Sequence, residues 1–167
     1  MRVFLVGFMG AGKTTTGRAL ARRLGSLFVD LDGRVEASLG MNVASVFRER
    51  GEAAFRAEEA RQLAACARFA DVVVATGGGT FAVAANRELI RRLGVSVFLD
   101  VPWGEVVRRL PGKRGERPLF GTPEKALELY NARLPHYRSA DLALRPDAAE
   151  DAEALAGRLA HLLEVRA

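Results

Sequence analysis

The feature that most constrains the fold is a glycine-rich motif near the start of the chain. After an apolar run at residues 3–6, the sequence GFMGAGKT at 7–14 matches the pattern G-x-x-x-x-G-K-[ST] at every fixed position. After the motif, small and apolar residues recur at helical spacing, and Gly25 marks the end of the predicted helix. A strand, a glycine loop and a helix in this order predict a loop whose backbone N–H groups surround a phosphate at the positive end of the helix dipole.

The alternative for the same stretch is a secretory signal peptide, with a basic start, an apolar middle and the sequence ALA at 19–21. Lys13 and Arg18 interrupt the apolar region and argue against it. In a phosphate loop, Lys13 reaches the β- and γ-phosphates of a nucleoside triphosphate and the Thr14 hydroxyl binds Mg²⁺. The expected nucleotide-binding residues are Gly10, Ala11, Gly12, Lys13, Thr14 and Thr15.

Strand-like and helix-like segments alternate along the whole chain, which predicts an α/β fold with a parallel sheet. The predicted strands are 3–6, 27–32, 72–75, 95–100 and 142–144. One helix is predicted directly after residue 12, and a short one is capped by Asn42. Four further helices are predicted at about 52–69, 80–93, 123–134 and 149–164. We therefore expect a three-layer α/β/α P-loop NTPase fold with a central five-stranded sheet, formed by residues 1–167 as a single domain.

Composition excludes several classes of protein. No apolar run approaches the ~18–20 residues of a membrane helix. The single cysteine, Cys66, cannot form an internal disulfide, and no Cys/His cluster has zinc-ligand spacing, which fits a reducing cytoplasm. The net charge of +5 comes without a Lys/Arg block, so it indicates small anionic substrates rather than nucleic acid or a membrane.

Two predicted strand ends offer an acidic residue for the metal. Asp100 ends the strand at 95–100, while Asp30 and Asp32 end the strand at 27–32. Residues two apart on a strand share a face about 7 Å apart, so one carboxylate of the second pair could serve the metal and the other an acceptor hydroxyl. The alternative for this pair is that both aspartates cap the next helix.

Arginines and glycines mark further candidate sites. The stretch PGKRGERPLFGTP at 111–123 breaks all periodicity, and it is either a surface loop or a mobile lid whose Lys113, Arg114 and Arg117 neutralise a transferring phosphoryl group.

Arg56 and Arg133 are candidates for binding the carboxylate of an acceptor, since a guanidinium pairs well with that group. Arg56 has Glu59 three residues on, on the same helix face, and the alternative for both arginines is a surface ion pair. The sequence TGGG at 76–79 presents backbone amides to an anion, or else forms a turn that needs positive φ.

Taken together, these motifs resemble the shikimate kinases, which have the nucleoside-monophosphate-kinase-like P-loop fold. The resemblance spans about residues 1–140 and lies in GFMGAGKTT (7–15), FVDLD (28–32), GEAAFRAEE (51–59), VVVATGGG (72–79), VFLDVP (97–102), RGERPLF (114–120) and RLPHY (133–137). The phosphate loop is shared by many NTPases, whereas the combination of DLD, FRxxE, TGGG and RPL is far more specific. After Tyr137 the chain reads RSAD, where many members of the family carry an acidic residue.

The resemblance implies transfer of the ATP γ-phosphoryl group to the 3-hydroxyl of shikimate, on the route to aromatic amino acids, by a cytoplasmic monomer. It implies Mg²⁺ held by Thr14 and, through water, by Asp30, with Asp32 as the residue that binds the hydroxyl and accepts its proton. Arg56 and Arg133 would hold the carboxylate, with Gly77, Gly78 and Gly79 lining the pocket. Arg117 would reach the phosphate from the lid at about 111–122, Arg109 would stack on adenine, and 32–60 would form the substrate-binding segment. The alternative is a gluconate kinase on the same scaffold.

Overall fold

The structure of the protein is a computed structural model that describes residues 1–109, 121–147 and 149–166. Its central feature is one parallel sheet of five strands in the order β2-β3-β1-β4-β5. The strands are β1 (Arg2–Val6), β2 (Leu27–Asp30), β3 (Val72–Ala75), β4 (Val95–Leu99) and β5 (Leu142–Leu144). This confirms the predicted five-stranded parallel sheet.

Helices cover the sheet and connect its strands. They are α1 (Lys13–Leu24), α2 (Leu31–Leu39), α3 (Val43–Ala65), α4 (Ala84–Leu93), α5 (Trp103–Arg109), α6 (Pro123–Tyr137) and α7 (Ala152–Arg166). Two 3₁₀ turns, Cys66–Arg68 and Thr80–Ala82, precede β3 and α4 respectively. Asn42 caps α3 as predicted, since its side chain accepts a hydrogen bond from the backbone N–H of Ser45.

The strand order determines where a ligand can bind. β1 lies between β3 and β4, so the connections that leave the carboxyl ends of β1 and β3 diverge to different layers. In open parallel sheets the ligand binds outside the carboxyl ends of the strands at such a divergence. Here the phosphate loop follows β1 and the glycine triplet follows β3, so both motifs meet at that edge.

The expectation that Asp30 and Asp32 share one strand face is wrong. β2 ends at Asp30, and Asp32 lies in the first turn of α2. The Asp30 side chain accepts a hydrogen bond from the backbone N–H of Gly33 and caps α2, so the helix begins two residues earlier than the strand pattern predicts. The capping alternative is therefore correct for Asp30.

Two separate apolar clusters stabilise the part of the chain that the structure describes. The larger one surrounds β1, β3 and β4, whose residues from Val3 to Val6 and from Val72 to Val74 are completely buried. The smaller cluster consists of Val35, Val46 and Phe55 on α2 and α3, with partly buried neighbours from the same two helices. Gly51, with φ of 82° and ψ of 166°, is non-helical and separates the part of α3 with Val46 from the part with Phe55, so α3 consists of the two predicted helices meeting at a kink.

Most of the predicted lid, residues 111–120, lies outside the described residues, as does Arg117. Of its remaining residues, Thr122 caps α6 by accepting a hydrogen bond from the backbone N–H of Lys125. Within the described ranges, no helix combines the length and the apolar character that a membrane span requires.

Candidate active site

The phosphate loop has the backbone geometry that its glycines predict. Gly7, Gly10 and Gly12 have φ of 146°, 77° and 88°, conformations that side chains with a β-carbon rarely adopt. Gly12 is also the N-cap of α1, so the N-terminal end of this helix adjoins the phosphate loop. The loop and the helix dipole thus form a concave site suited to phosphate.

Lys13 lies across this loop and is largely buried. Its ammonium group donates hydrogen bonds to the carbonyl oxygens of Gly7 at 2.7 Å and Phe8 at 2.9 Å. These contacts hold the positive charge against the first two residues of the phosphate loop.

Thr14 and Asp30, the two predicted metal-binding residues, lie in contact. The Thr14 hydroxyl donates a hydrogen bond to Oδ2 of Asp30 at 2.8 Å. Among the residues that the structure describes, no group of three His, Cys, Asp or Glu side chains could hold an ion alone. A hydroxyl beside one carboxylate fits Mg²⁺, which in phosphotransferases takes few protein ligands and completes its octahedron with phosphate oxygens and water.

Asp100, the rival acidic residue, faces elsewhere. Its Oδ2 accepts hydrogen bonds from Nε and Nη2 of Arg145 at 3.1 and 2.7 Å. Asp100 is therefore engaged in an ion pair just after β4, whereas Thr14 pairs with Asp30.

Arg56 is fixed by two carboxylates on its own helix. Its Nη1 donates to Oε2 of Glu59 at 2.8 Å, and its Nε lies 3.4 Å from Oε1 of Glu52. Glu59 is completely buried, and burial raises the pKa of its carboxyl, an effect that the charge of Arg56 opposes. The predicted same-face pair of Arg56 and Glu59 thus exists, but Glu59 is a core residue rather than a surface partner.

Arg133 is only 7% exposed and reaches the same region from α6. Its guanidinium lies over the Phe8 ring, 6.0 Å from the centroid, and burial lowers its pKa. Tyr137, one turn further on, donates its hydroxyl to the carbonyl of Gly78, and burial raises the tyrosine pKa to about 12, so the hydroxyl stays a neutral donor. Arg133 is therefore a buried cation, and the surface ion-pair alternative is wrong.

The glycine triplet allows these side chains to approach the backbone closely. None of Gly77, Gly78 and Gly79 has positive φ, so the alternative of a turn that needs it is wrong. A β-carbon on Gly79 would lie 2.7 Å from Cζ of Arg56, and one on Gly78 would lie 3.2 Å from Nη1 of Arg133. A β-carbon on Gly77 would lie 2.7 Å from Glu59 and 2.8 Å from Asp32. The triplet thus brings both arginines and both carboxylates against one stretch of backbone.

Two cavities meet at this stretch. The larger has a volume of about 840 Å³ and is lined by the phosphate loop, Asp30, Thr76 and Arg109, among others. The smaller has a volume of about 40 Å³ and is lined by Arg56, Glu59, Arg133 and the triplet. Asp32, Val43 and Gly78 line both cavities, so Asp32 lies at the junction between a phosphate site and a site with two arginines.

Arg109 approaches the phosphate loop from α5. Its Nη1 lies 3.4 Å from the carbonyl oxygen of Gly10, and its Nε lies 3.5 Å from Glu105. The structure therefore brings Arg109 to the rim of the larger cavity.

Several residues at the smaller cavity, Val43 among them, were not predicted as site residues from the sequence. Met9, Phe47 and Phe55 line the smaller cavity, and Thr80 donates a hydrogen bond to Glu59 behind it. Phe47 and Phe55 were visible only as apolar positions of predicted helices, which is also the pattern of core residues. Met9 occupies a variable position of the phosphate-loop motif, and the motif does not indicate which cavity such a side chain lines.

Comparisons with known proteins agree with this geometry. The family model described as Shikimate kinase matches residues 9–164. A shikimate kinase of Ruegeria pomeroyi is 41% identical over 167 residues, which cover 98% of this chain and 85% of that protein. A shikimate kinase of Bacteroides thetaiotaomicron is 38% identical over 174 residues, with 99% of both chains covered.

Solved structures give the same result. The shikimate kinase from Acinetobacter baumannii in complex with shikimate superposes with a TM-score of 0.93 at 34% identity and covers 99% of this chain and 93% of that one. A deoxyadenosine kinase from M. mycoides, at 15% identity and a TM-score of 0.67, shares the fold alone. These matches do not favour the gluconate kinase alternative, and they confirm the predicted fold and kinase activity. The chain therefore belongs to the shikimate kinase family.

Proposed function

We propose that this chain transfers the γ-phosphoryl group of ATP to the 3-hydroxyl of shikimate at the junction of the two cavities. The observation that carries the assignment is that Asp32 lines both the phosphate cavity and the cavity with Arg56 and Arg133. An acceptor whose carboxylate lies on the two guanidiniums would place a ring hydroxyl toward Asp32 and the end of the triphosphate.

The reaction needs one bond exchanged and one proton moved. The acceptor hydroxyl oxygen forms a bond to the γ-phosphorus as the bond to the β-phosphate oxygen breaks, which releases ADP. Asp32 accepts the hydroxyl proton, while Lys13 and the loop amides stabilise the negative charge on the transferring group. Arg109, at the rim of the larger cavity, would stack on adenine, and Arg117 would neutralise the phosphate from the lid at about 111–122.

The residues present fit Mg²⁺ as the metal. Thr14 would bind it directly and Asp30 through water, since the hydroxyl and the carboxylate already lie 2.8 Å apart beside the phosphate loop. When bound, Mg²⁺ would neutralise charge on the β- and γ-phosphates.

The same proposal includes the organisation and setting of the protein. Residues 1–167 would act as one domain, with 32–60 as the substrate-binding segment, and the enzyme would work as a cytoplasmic monomer on shikimate and ATP. A single buried cysteine and the lack of a Lys/Arg block support this assignment, in which neither nucleic acid nor a membrane is a partner.

The direct test is ADP production from MgATP with shikimate, gluconate or no acceptor. We expect ADP release that depends on shikimate. Release with gluconate instead, or equal release without an acceptor, would contradict the proposal.

A residue-level test separates the two cavities. Arg133→Ala should raise the KM for shikimate about 10- to 100-fold, because a hydrogen-bonded charged contact contributes about 1.5–3 kcal/mol, and should leave the ATP affinity nearly unchanged. Arg138→Ala, which changes an exposed arginine five residues further on, is the matched control. A variant of Arg133 that lost ATP affinity and kept acceptor affinity would show that the acceptor site is assigned wrongly.

A further inference from the structure

Thr80, the residue after the glycine triplet, holds the carboxylate that fixes Arg56. Its side chain is completely buried, and its hydroxyl donates a hydrogen bond to Oε1 of Glu59 at 2.5 Å. Oε2 of the same carboxylate accepts from Nη1 of Arg56 at 2.8 Å. The two oxygens of Glu59 are thus divided between the hydroxyl on one side and the guanidinium on the other.

The backbone that carries the Thr80 hydroxyl is itself held in place by hydrogen bonds. The carbonyl of Thr80 accepts a hydrogen bond from Nδ2 of the buried Asn86 at 3.2 Å, and its N–H donates to the carbonyl of Gly77 at 3.3 Å. Arg87 donates to the carbonyls of Phe81 and Ala82 at 2.9 and 2.8 Å. The 3₁₀ turn Thr80–Ala82 is therefore anchored to α4, which makes Thr80 a fixed donor rather than a mobile one.

Loss of the Thr80 hydroxyl would remove a hydrogen-bond donor from a buried carboxylate whose pKa depends on several neighbouring groups. Burial raises the pKa of Glu59, and the neighbouring charge of Asp32 on α2 raises it further. The charge of Arg56 and the hydrogen bonds from Thr80 and Arg56 oppose this rise, and the positive charge of Arg133 on α6 faces the same carboxylate. A buried carboxylate that loses a donor binds a proton more readily, and a protonated Glu59 no longer pairs with a cation.

We infer that Thr80 is a positioning residue of the acceptor site, whose hydroxyl holds Glu59 in the orientation that aims Arg56 at the acceptor carboxylate. The inference rests on the proposed function, in which Arg56 binds that carboxylate. It assigns a role to a side chain that lines neither cavity and acts only through Glu59.

The test replaces the hydroxyl at nearly constant volume. Thr80→Val should raise the KM for shikimate about tenfold, as the loss of a hydrogen bond to a charged group would, with kcat and the KM for ATP changed less than about threefold. The acidic limb of kcat/KM for shikimate should move to higher pH, because Glu59 becomes protonated at a higher pH. Thr80→Ser keeps the hydroxyl and should restore both values; Thr80→Ala replaces the valine variant if that one does not fold.

The matched control is Ser96→Ala. Ser96 is also buried and donates its hydroxyl to a carboxylate, Oδ2 of Asp141 at 2.7 Å. It lies near the amino end of β4, however, whereas the candidate site lies at the carboxyl ends of the strands. This variant should lose stability without moving the KM for shikimate or the acidic limb. Circular dichroism and thermal melting of each variant give the structural baseline.

A double mutant separates a role through Glu59 from looser packing. If Thr80 acts through Glu59, adding Thr80→Val to Glu59→Gln should not raise the KM for shikimate further, whereas independent effects would multiply. Multiplied effects, or a valine variant with unchanged KM and unchanged pH profile, would overturn the inference. Arg56→Ala identifies a failure of the proposed function instead, since an unchanged KM for shikimate in that variant would show that Arg56 does not bind the acceptor.

Discussion

Asp32 is the titratable residue that links the two cavities. It lines both cavities, and it projects from the first turn of α2, while Asp30 caps the same helix and contacts Thr14. The two carboxylates of the DLD sequence therefore lie in different elements, one at the end of β2 and the other in the first turn of α2. Asp30 lies against Thr14 beside the phosphate loop, and Asp32 lies at the junction of the two cavities.

Asp32→Asn should lower kcat about 100-fold with the fold preserved. The expected loss lies at the low end of the range for a general base, because phosphoryl transfer with a loose transition state requires little proton removal. Steady-state kinetics, with circular dichroism of the same sample, measure the effect.

The matched control is Asp100→Asn, which removes a charge from the other strand-end aspartate. Asp100 pairs with Arg145, whose side chain is 64% exposed, so this variant should keep kcat within about twofold. Near-normal turnover of Asp32→Asn would remove its proposed role as base.

Gly79 tests the close approach of Arg56 to the backbone. Its φ of −98° suits any residue, so backbone strain cannot explain an effect of substitution there. Gly79→Ala should raise the KM for shikimate at least about tenfold, because the β-carbon would displace the guanidinium and weaken a charged hydrogen bond. Kinetics with shikimate varied at saturating ATP measure this change.

The control for Gly79 is Gly104→Ala on α5, where a β-carbon would meet nothing within 4 Å. That variant should leave both KM values unchanged and slightly stabilise the helix. An equal rise of both KM values in Gly79→Ala would indicate a general disturbance rather than displacement of Arg56.

Among the elements, α2 and α3 show most clearly what sequence patterns predict and what they miss. The helix cap at Asn42 follows from local chemistry, and the structure confirms it. The end of β2 was predicted two residues late, because FVDLD alternates like a strand until the Asp30 cap is known. The partner of Thr80 could not be predicted, since it depends on how α3 packs against the 3₁₀ turn, a contact between residues 21 apart in the chain.

A polar network joins these two helices. Glu58 on α3 accepts hydrogen bonds from Arg61 and from Nε2 of Gln62, and Arg61 also donates to Ser38 on α2. Gln62 in turn accepts from Nε of Arg34 on α2 at 3.2 Å. The network holds the helix that bears Asp32 against the helix that bears Arg56.

The pKa of Glu58 makes this network sensitive to acid. The hydrogen bond from Arg61 lowers the pKa of Glu58 from 4.5 to about 2. A carboxyl with a lowered folded-state pKa contributes stability that is present above its unfolded value of 4.5 and is lost as pH falls through about 2. Glu58→Gln should therefore lower the free energy of unfolding by about 0.5–1 kcal/mol at pH 7, with a smaller effect at pH 3, since Arg61 is mostly exposed.

Urea denaturation at the two pH values measures this difference. Glu88→Gln, which removes one partner of an exposed pair with Arg91, is the control and should change the free energy of unfolding by less than about 0.5 kcal/mol. An effect of Glu58→Gln that grew as pH fell would contradict the assigned direction of the pKa shift.

At the scale of the whole molecule, the two apolar clusters imply two levels of stability. The large cluster contains the sheet and the phosphate loop, whereas the small cluster of Val35, Val46 and Phe55 stabilises only α2 and the first part of α3. A region with few buried apolar contacts opens locally at a lower free energy than global unfolding. The α2 and α3 side of the smaller cavity, which includes Arg56, is therefore expected to open at a lower free energy than the sheet.

Two valines, each completely buried, test this difference. Val97→Ala in β4 should lower the global free energy of unfolding by about 1.5–3 kcal/mol, the value of a buried valine side chain. Val46→Ala in the small cluster should instead speed hydrogen exchange mainly of amides in residues 31–55, with little change in the exchange of β1 and β3. Native-state hydrogen exchange read by mass spectrometry of peptides distinguishes the two responses.

Ligands should reverse the effect of Val46→Ala. Under the proposed function, shikimate with ADP binds only molecules in which α2 and α3 are folded, so it should slow exchange in residues 31–55 more than in the sheet. The added protection should be larger in Val46→Ala than in the parent, because more of the variant is open before binding. Equal slowing of exchange across all strands and helices would mean that the two clusters unfold together, and that the acceptor site is no more mobile than the sheet that supports it.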